Sequence, residues 1–175
     1  FDSIRTMKTL IERELNKKSL TGNVKLGRGG IREIEFIVQS HQLIYGGRNP
    51  ALRTSSLYDA LAALEDNGVL TDHDCAMMRR HYDFLRVLEH RLQIMDDAQT
   101  HTVPVEPLAR TRIALTMGYP GINAFDTAVE SVNDAVHRLF LTVFHQDRGP
   151  AASENNPLFA DIWEDTLAPE DQLTQ

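Results

Sequence analysis

Residues 25–39 read KLGRGGIREIEFIVQ, and this stretch decides how the first part of the chain folds. It opens with three glycines in four positions, which is typical of a tight loop. Residues 23–30 are therefore expected to form a short extended segment that runs into such a loop. The apolar residues that follow recur at helical spacing. They predict a helix that begins at Gly30 or Ile31, runs to Tyr45 and is closed by the two glycines after it.

Helical spacing of apolar residues continues along most of the remaining chain. No alternation of period two is long enough to predict a sheet. We therefore expect an all-α fold, an antiparallel bundle of about six helices joined by short loops. The other five predicted helices lie at about 2–16, between the Thr54–Ser56 cap and Gly68, at about 72–97 after Thr71, at about 107–117 before Gly118, and after a cap at Asn123.

The composition changes near residue 147, which predicts two domains. Residues 1–146 form the helical domain, and residues 147–175 form an acidic linker and tail. The tail has seven acidic residues against one basic residue, and it opens with the linker-like sequence GPAAS. Its apolar residues predict a short docking helix, namely Leu158, Phe159, Ile162, Trp163 and Leu167.

The bulk composition excludes several classes of protein. No apolar run approaches the ~20 residues that a membrane span requires, so no membrane partner is expected. No nucleic-acid partner is expected for a chain of formal net charge −7. The single cysteine, Cys75, cannot form an internal disulfide and fits a cytoplasmic location. The first residue is Phe1 rather than Met, which predicts that the chain lies inside a longer protein.

The glycine loop and the first helical turn after it carry the residue types of phosphoryl-group chemistry. Exposed N–H groups and the helix dipole favour an anion there, and Lys25, Arg28 and Arg32 add positive charge. Glu33 and Glu35 supply carboxylates of the kind that metal-assisted transfer uses. The alternative is structural, because acids in a first helical turn are also good helix design.

These residues closely resemble the KLGxGGIREIEFIVQ block of the glutamine synthetase adenylyltransferase/adenylyl-removing enzymes. The likeness continues through residues 42–50 and resumes in residues 84–93 and 96–104, so it covers most of residues 1–146. The sequence Ile31-Arg32-Glu33 is similar to the removing half of these two-part enzymes. The transferring half tends to carry a different residue where Arg32 stands.

The resemblance implies a helical module that packs against a nucleotidyltransferase lobe of the same polypeptide. That lobe holds Mg²⁺ through Gly/Ser-Ser-Asp-x-Asp and V-D-x-R-L-R-P signatures, and neither occurs in this sequence. We therefore expect no metal bound by this chain and no activity of it alone. The implied reaction is phosphorolysis of adenylyl-tyrosine on glutamine synthetase, in the cytoplasm, with glutamine synthetase and the PII signalling protein as partners.

The resemblance also implies which residues complete the site of that lobe. The catalytic candidates are Glu33 and Glu35, of which Glu35 is favoured because both halves of the family keep an acid there. The other candidates are Lys25, Gly29, Gly30 and Arg32 for phosphate or nucleotide, and Gln99 and His101 at the border of the cleft.

Two other functions remain open on the sequence. The first is a regulatory helical module that binds glutamine synthetase or PII and contributes no site residues. The second is the helical region of a PII uridylyltransferase, a relative with a similar block. The His73-Asp74 pair resembles the metal doublet of HD hydrolases, but we interpret it as an ordinary helix start, and His81 as a core histidine.

Overall fold

The computed structural model describes residues 20–96 and 100–145. This part of the chain is all-helical, as predicted, with five α-helices and one 3-10 turn at Pro50–Leu52. The helices are α1 (Ile31–Tyr45), α2 (Leu57–Asp66), α3 (Asp72–Asp96), α4 (Pro107–Thr116) and α5 (Ile122–His145). The helix predicted at about 2–16 lies outside the described residues, so the count of six stays a prediction.

The chain divides into two compact units, Phe1–Phe144 and His145–Gln175. All described residues except His145 belong to the first unit. The domain boundary predicted at residue 146, the acidic tail and its docking helix lie outside the described residues and stay predictions.

The core forms around α1, which packs against α2 and α3. Eight of its fifteen residues are buried, and they include the polar residues Glu33, Ser40 and His41. A helix with apolar residues on only one face would leave its other side in water, whereas α1 is covered on two sides. The remaining exposed stripe of α1 follows Arg32, Gln39 and Leu43.

Local capping explains where α2, α3 and α4 begin. The Ser56 hydroxyl accepts a hydrogen bond from the Asp59 N–H at 3.2 Å, and the Thr71 hydroxyl accepts one from the Asp74 N–H at 3.1 Å. The Glu106 carboxylate accepts the N–H groups of Leu108 and Ala109. These are the side-chain acceptors that a helix start requires, so the predicted starts of α2 and α3 are confirmed.

The last helix, α5, begins two residues earlier than predicted. It starts at Ile122, with the Phe125 N–H donating to the Gly121 oxygen at 3.2 Å, so Asn123 lies inside the helix and is not its cap. The aromatic residues of α5 pack against α1: the ring centroids of Phe36 and Phe144 are 5.0 Å apart. This contact fixes α5 beside the helix that carries the candidate site.

The glycine-rich segment differs from the extended piece that the sequence predicted. Residues 21–30 form successive turns, and Asn23 makes an isolated antiparallel bridge with Thr102. The Val24 N–H donates to the His101 oxygen at 2.8 Å, and the Val103 N–H donates to the Gly22 oxygen at 2.9 Å. The loop before α1 is thereby joined to the segment between α3 and α4.

Among the described residues, no helix combines the length and the apolarity that crossing a membrane requires.

Candidate functional site

The first turn of α1 uses its N–H groups within the protein. Those of Gly30, Ile31, Arg32 and Glu33 donate to backbone oxygens of residues 24–30 over 3.0–3.1 Å. The expectation of exposed N–H groups that bind an anion at this helix start is therefore wrong for the described conformation. An anion near this turn has to be bound by side chains.

Gly29 and Gly30 are buried, and neither position has room for a Cβ atom. Gly29 has φ 69°, and a Cβ atom there would overlap the backbone oxygen of Asn133 in α5. A Cβ atom on Gly30 would lie 2.8 Å from the Val24 oxygen. The glycines therefore let the loop approach α5 and fold under α1. This gives both residues a structural reason to be glycine, while their predicted part in phosphate binding stays untested.

Glu33 lies inside the bundle, with a side chain that is 1% exposed. Nδ1 of His137 is 3.1 Å from its Oε1 and 3.2 Å from its Oε2. Burial raises the pKa of the Glu33 carboxyl, while the backbone N–H of Gly29 and the nearby His137 oppose that rise. The carboxylate therefore holds the glycine loop and α5 against α1, and it does not share a surface with Glu35.

Arg32 and Glu35 form an ion pair on the outer side of α1. Nη1 of Arg32 lies 3.3 Å from Oε2 of Glu35, and the side chains are 59% and 22% exposed. A pair three residues apart on one helix is close enough to orient the guanidinium. Both predicted residues are thus together and accessible to a ligand.

Lys25 contacts a buried carboxylate of α3. Its Nζ lies 3.3 Å from Oε1 of Glu89, and Nδ1 of His101 lies 3.0 Å from the same oxygen. Arg86 donates through Nη1 to the other oxygen of Glu89 at 2.5 Å. The resemblance implied Lys25 and His101 as candidates in two different roles. In the structure both lie beside the carboxylate of Glu89.

Tyr82 links this cluster to the Arg32–Glu35 pair. The pKa of its phenol is raised mainly by burial and next by the negative charge of Glu35, with Glu89 contributing as well. Tyr82, Arg86 and Glu89 also follow one another at helical spacing on α3. The Arg32 N–H also donates to the Lys25 oxygen at 3.0 Å, so the outer side of α1 adjoins this cluster. We call the combined polar surface the α1–α3 face: Lys25, Arg32, Glu35, Tyr82, Arg86, Glu89 and His101.

The described carboxylates do not fit the Mg²⁺ ion that the resemblance implies. Glu33 faces His137, Glu35 faces Arg32, and Glu89 faces Lys25, Arg86 and His101. Mg²⁺ needs oxygen ligands that converge on one point. In residues 20–96 and 100–145 no three His, Cys, Asp or Glu side chains are grouped in that way.

Other sequence predictions have mixed outcomes. Gln99 lies outside the described residues. His81 is buried as predicted, and Asp74 takes part in the Thr71 cap at the start of α3. Glu89 joins an ion-pair network with Lys25, Arg86 and His101, whereas Arg91 on the same helix is exposed. Two residues apart on a helix, the side chains of residues 89 and 91 point in different directions.

Sequence reasoning missed three residues of this region: Arg86, Tyr82 and His137. The first two had a signal, because Tyr82, Arg86 and Glu89 lie four and three residues apart and so share a helix face. His137 had none, because it lies 104 residues from the carboxylate that it contacts.

The fold and the α1–α3 face define an all-helical module with cationic side chains arranged around buried acids. A family model described as GlnD PII-uridylyltransferase matches residues 5–144, and the chain belongs to that family.

The chain is also 40% identical over 167 residues to the "Bifunctional glutamine synthetase adenylyltransferase/adenylyl-removing enzyme" of Hahella chejuensis (strain KCTC 2396). The alignment covers 95% of this chain and 17% of that protein, so the chain spans about a sixth of its relative's length. The resemblance read from residues 25–39 is therefore confirmed.

Proposed function

We propose that this chain is the helical module of an adenylyl-removing half that regulates glutamine synthetase. In the proposed reaction, an oxygen of inorganic phosphate attacks the phosphorus of adenylyl-tyrosine. The bond between that phosphorus and the tyrosine oxygen breaks, the phenolate takes a proton, and ADP leaves. The name of the Hahella chejuensis relative supports this reaction for the full-length protein.

The α1–α3 face supplies the parts that this reaction needs from a module without metal ligands. Arg32 and Lys25 are cations with solvent-accessible side chains, and they are suited to bind phosphate oxygens. Glu35 orients the guanidinium of Arg32 rather than binding a metal. Glu33 is proposed as a positioning residue, because it is buried against His137 and Gly29.

The accessible Arg32–Glu35 pair on the exposed stripe of α1 is the observation that carries this proposal. A purely structural helix has no need for a fixed guanidinium on its outer side, since exposed ion pairs contribute little stability. The same pair lies within electrostatic range of Tyr82, and hence next to the cluster around Glu89.

The proposal assigns the remaining parts to the rest of the polypeptide. A nucleotidyltransferase lobe in the same chain holds Mg²⁺ and the nucleotide, in the cytoplasm, with glutamine synthetase as the protein substrate and PII as the regulator. The 175-residue chain alone is proposed to be inactive. Release of ADP from adenylylated glutamine synthetase by this chain without the lobe would contradict that part.

The decisive experiment uses the full-length protein with Arg32→Ala and Glu35→Gln. Phosphate-dependent release of ADP from adenylylated glutamine synthetase is expected to fall by about 100-fold or more in both variants. Arg32→Ala removes the cation that stabilises the phosphoryl group, and Glu35→Gln removes the carboxylate that orients this cation. Arg79→Ala is the matched control, since Arg79 forms a comparable pair with Glu65 of α2 and is not one of the seven residues of the face. Wild-type rates in both site variants would overturn the proposal.

One observation favours each of two other functions. The family description names PII-uridylyltransferase, which favours uridylyl transfer to PII. The burial of Glu33 favours a regulatory module without site residues. Assays of uridylyl transfer from UTP to PII by the full-length protein test the first of these functions. Arg32 and Glu35 variants that keep the chemical rate but lose the response to PII would identify the second.

A further inference from the structure

Two cationic side chains and a histidine converge on the buried carboxylate of Glu89. They come from three separate segments: Lys25 from the loop before α1, Arg86 from α3 and His101 from the segment after α3. One carboxylate needs one cationic partner to offset its charge. The surplus of cationic groups is therefore not explained by the burial of Glu89 alone.

The side chains of Lys25 and Arg86 reach the solvent, and the carboxylate of Glu89 lies beneath them. The Glu89 side chain is 2% exposed, whereas those of Lys25, Arg86 and His101 are 35%, 36% and 23% exposed. An approaching ligand therefore meets cations and does not meet the carboxylate. This arrangement favours an anion.

Hydrogen-bond geometry leaves donors of the cluster unused. Arg86 donates to Oε2 of Glu89 at 2.5 Å. In contrast, Oε1 of Glu89 and Nδ1 of His101 are both buried and have no hydrogen-bond partner, although they lie only 3.0 Å apart. The Lys25 ammonium therefore makes an ion pair with Glu89 without a hydrogen bond, and its N–H donors stay available to a ligand.

The backbone fixes the spacing of the cations. The bond between the Val24 N–H and the His101 oxygen, together with the bridge between Asn23 and Thr102, holds Lys25 beside His101. The Arg32 N–H donates to the Lys25 oxygen at 3.0 Å, which ties the loop to α1. A site held by backbone pairing loses little side-chain entropy when a ligand binds.

We infer that Lys25, Arg86 and His101 form a subsite for a phosphate group and that Glu89 is its positioning residue. The ligand class is a phosphate-group anion, either inorganic phosphate or the phosphate of an adenine nucleotide. Glu89 holds these three side chains in place and does not touch the ligand. The role in catalysis rests on the proposed function, but binding of the anion does not.

The test measures binding and kinetics in the full-length protein. Variants Arg86→Ala, His101→Gln and Glu89→Gln are titrated calorimetrically with inorganic phosphate and, separately, with AMP. Their KM for phosphate and their kcat are measured in the removal reaction. Arg79→Ala, on the same helix, is the matched control, and thermal unfolding of every variant separates binding from loss of fold.

The inference predicts that Arg86→Ala weakens binding of one of the two probes by about 10-fold or more. An effect on phosphate identifies the attacking anion as the ligand, and an effect on AMP identifies the nucleotide. Glu89→Gln is expected to raise the KM for the same ligand while the KM for glutamine synthetase stays unchanged. Arg86→Lys should restore part of the lost binding.

Two results would overturn the subsite. The first is unchanged binding of both probes in Arg86→Ala and His101→Gln. The second is a lower melting temperature of Glu89→Gln with unchanged KM values, which would make the cluster structural only. Either result leaves the proposed function standing if the Arg32 and Glu35 variants lose activity. Conversely, anion binding without any removal activity would retain the subsite and reject the proposed function.

Discussion

His137 and Glu33 connect two helices that are far apart in sequence, with Nδ1 of His137 lying 3.1 Å from Oε1 of Glu33. Glu33 is in the first turn of α1 and His137 is in α5, so the contact fixes the helix that carries Arg32 and Glu35. A buried carboxylate is stable only when it is paired and hydrogen-bonded. The contact is therefore a structural requirement of the candidate site.

Replacing Glu33 should separate the effect of its charge from that of its shape. Glu33→Ala is expected to lower the free energy of unfolding by about 3 kcal/mol, because the partners of a buried acid are left unpaired. Glu33→Gln keeps an acceptor oxygen for the Gly29 N–H and should stay within about 1 kcal/mol of the wild type near neutral pH. Urea denaturation of the 175-residue chain measures both values. Equal losses in the two variants would show that the charge itself is required.

The same pair predicts how stability changes with pH. Burial raises the folded pKa of Glu33 above its ordinary value of 4.5, so the folded state keeps its proton when the unfolded state has lost it. The contribution of Glu33 to stability is thus complete below pH 4.5 and declines as the pH rises through the folded pKa. Urea titrations from acid to neutral pH should show the wild type losing stability relative to Glu33→Gln. A relative gain of the wild type would mean that His137 stabilises the ionised form more than burial disfavours it.

The starts of α2 and α3 were predictable because their signals are local. Ser56 and Thr71 precede apolar residues at helical spacing, and both cap the helices predicted after them. The glycine loop was recognised as a loop, but its pairing with residues 101–103 was not predicted. Two segments about 80 residues apart leave no periodic pattern that reveals their contact.

The candidate site was predictable only in part for the same reason. Arg32 and Glu35 lie three residues apart on one helix, so sequence spacing places them together. The burial of Glu33 was missed, although Ile37 and Ser40 follow it at four and seven residues and are buried on the same side. Its partner His137 belongs to another helix, and that contact depends on tertiary packing.

Substitution of Gly29 should lower the stability of the fold more than substitution of Gly68, a glycine with a similar backbone conformation. Gly29→Ala meets both the cost of a positive φ and a clash with the Asn133 backbone. Gly68 has a similar φ of +64° and nothing within 4 Å of the added atom. Gly68→Ala is therefore expected to cost about 1–2 kcal/mol, and Gly29→Ala clearly more. Equal losses in urea denaturation would show that α5 moves away without cost.

His41 predicts a pH response of the opposite sign to that of Glu33. Its ring is buried in α1, with Nδ1 2.7 Å from the Ile37 oxygen, and burial lowers its pKa below the ordinary 6.5. As the pH falls below 6.5, the unfolded state takes up a proton before the folded state does, so stability is lost until the folded pKa is reached. His41→Leu should flatten this acid loss in urea titrations from pH 7 downward. An unchanged slope would assign the acid sensitivity to other groups, such as the buried His81.

Arg32→Lys tests whether the position needs a positive charge or a planar guanidinium. Lysine keeps the charge but loses the fixed fork that binds two phosphate oxygens at once. If Arg32 binds phosphate while Glu35 orients it over 3.3 Å, Arg32→Lys in the full-length protein should keep part of the removal activity that Arg32→Ala loses. The remaining defect should appear in the KM for phosphate. If Glu35 acts only by orienting Arg32, the losses of the two single variants do not add. The double variant Glu35→Gln/Arg32→Lys should then lose no more activity than Glu35→Gln alone. Additive losses would show that the two residues act independently, and Glu35 would then have a role of its own at the reacting phosphate.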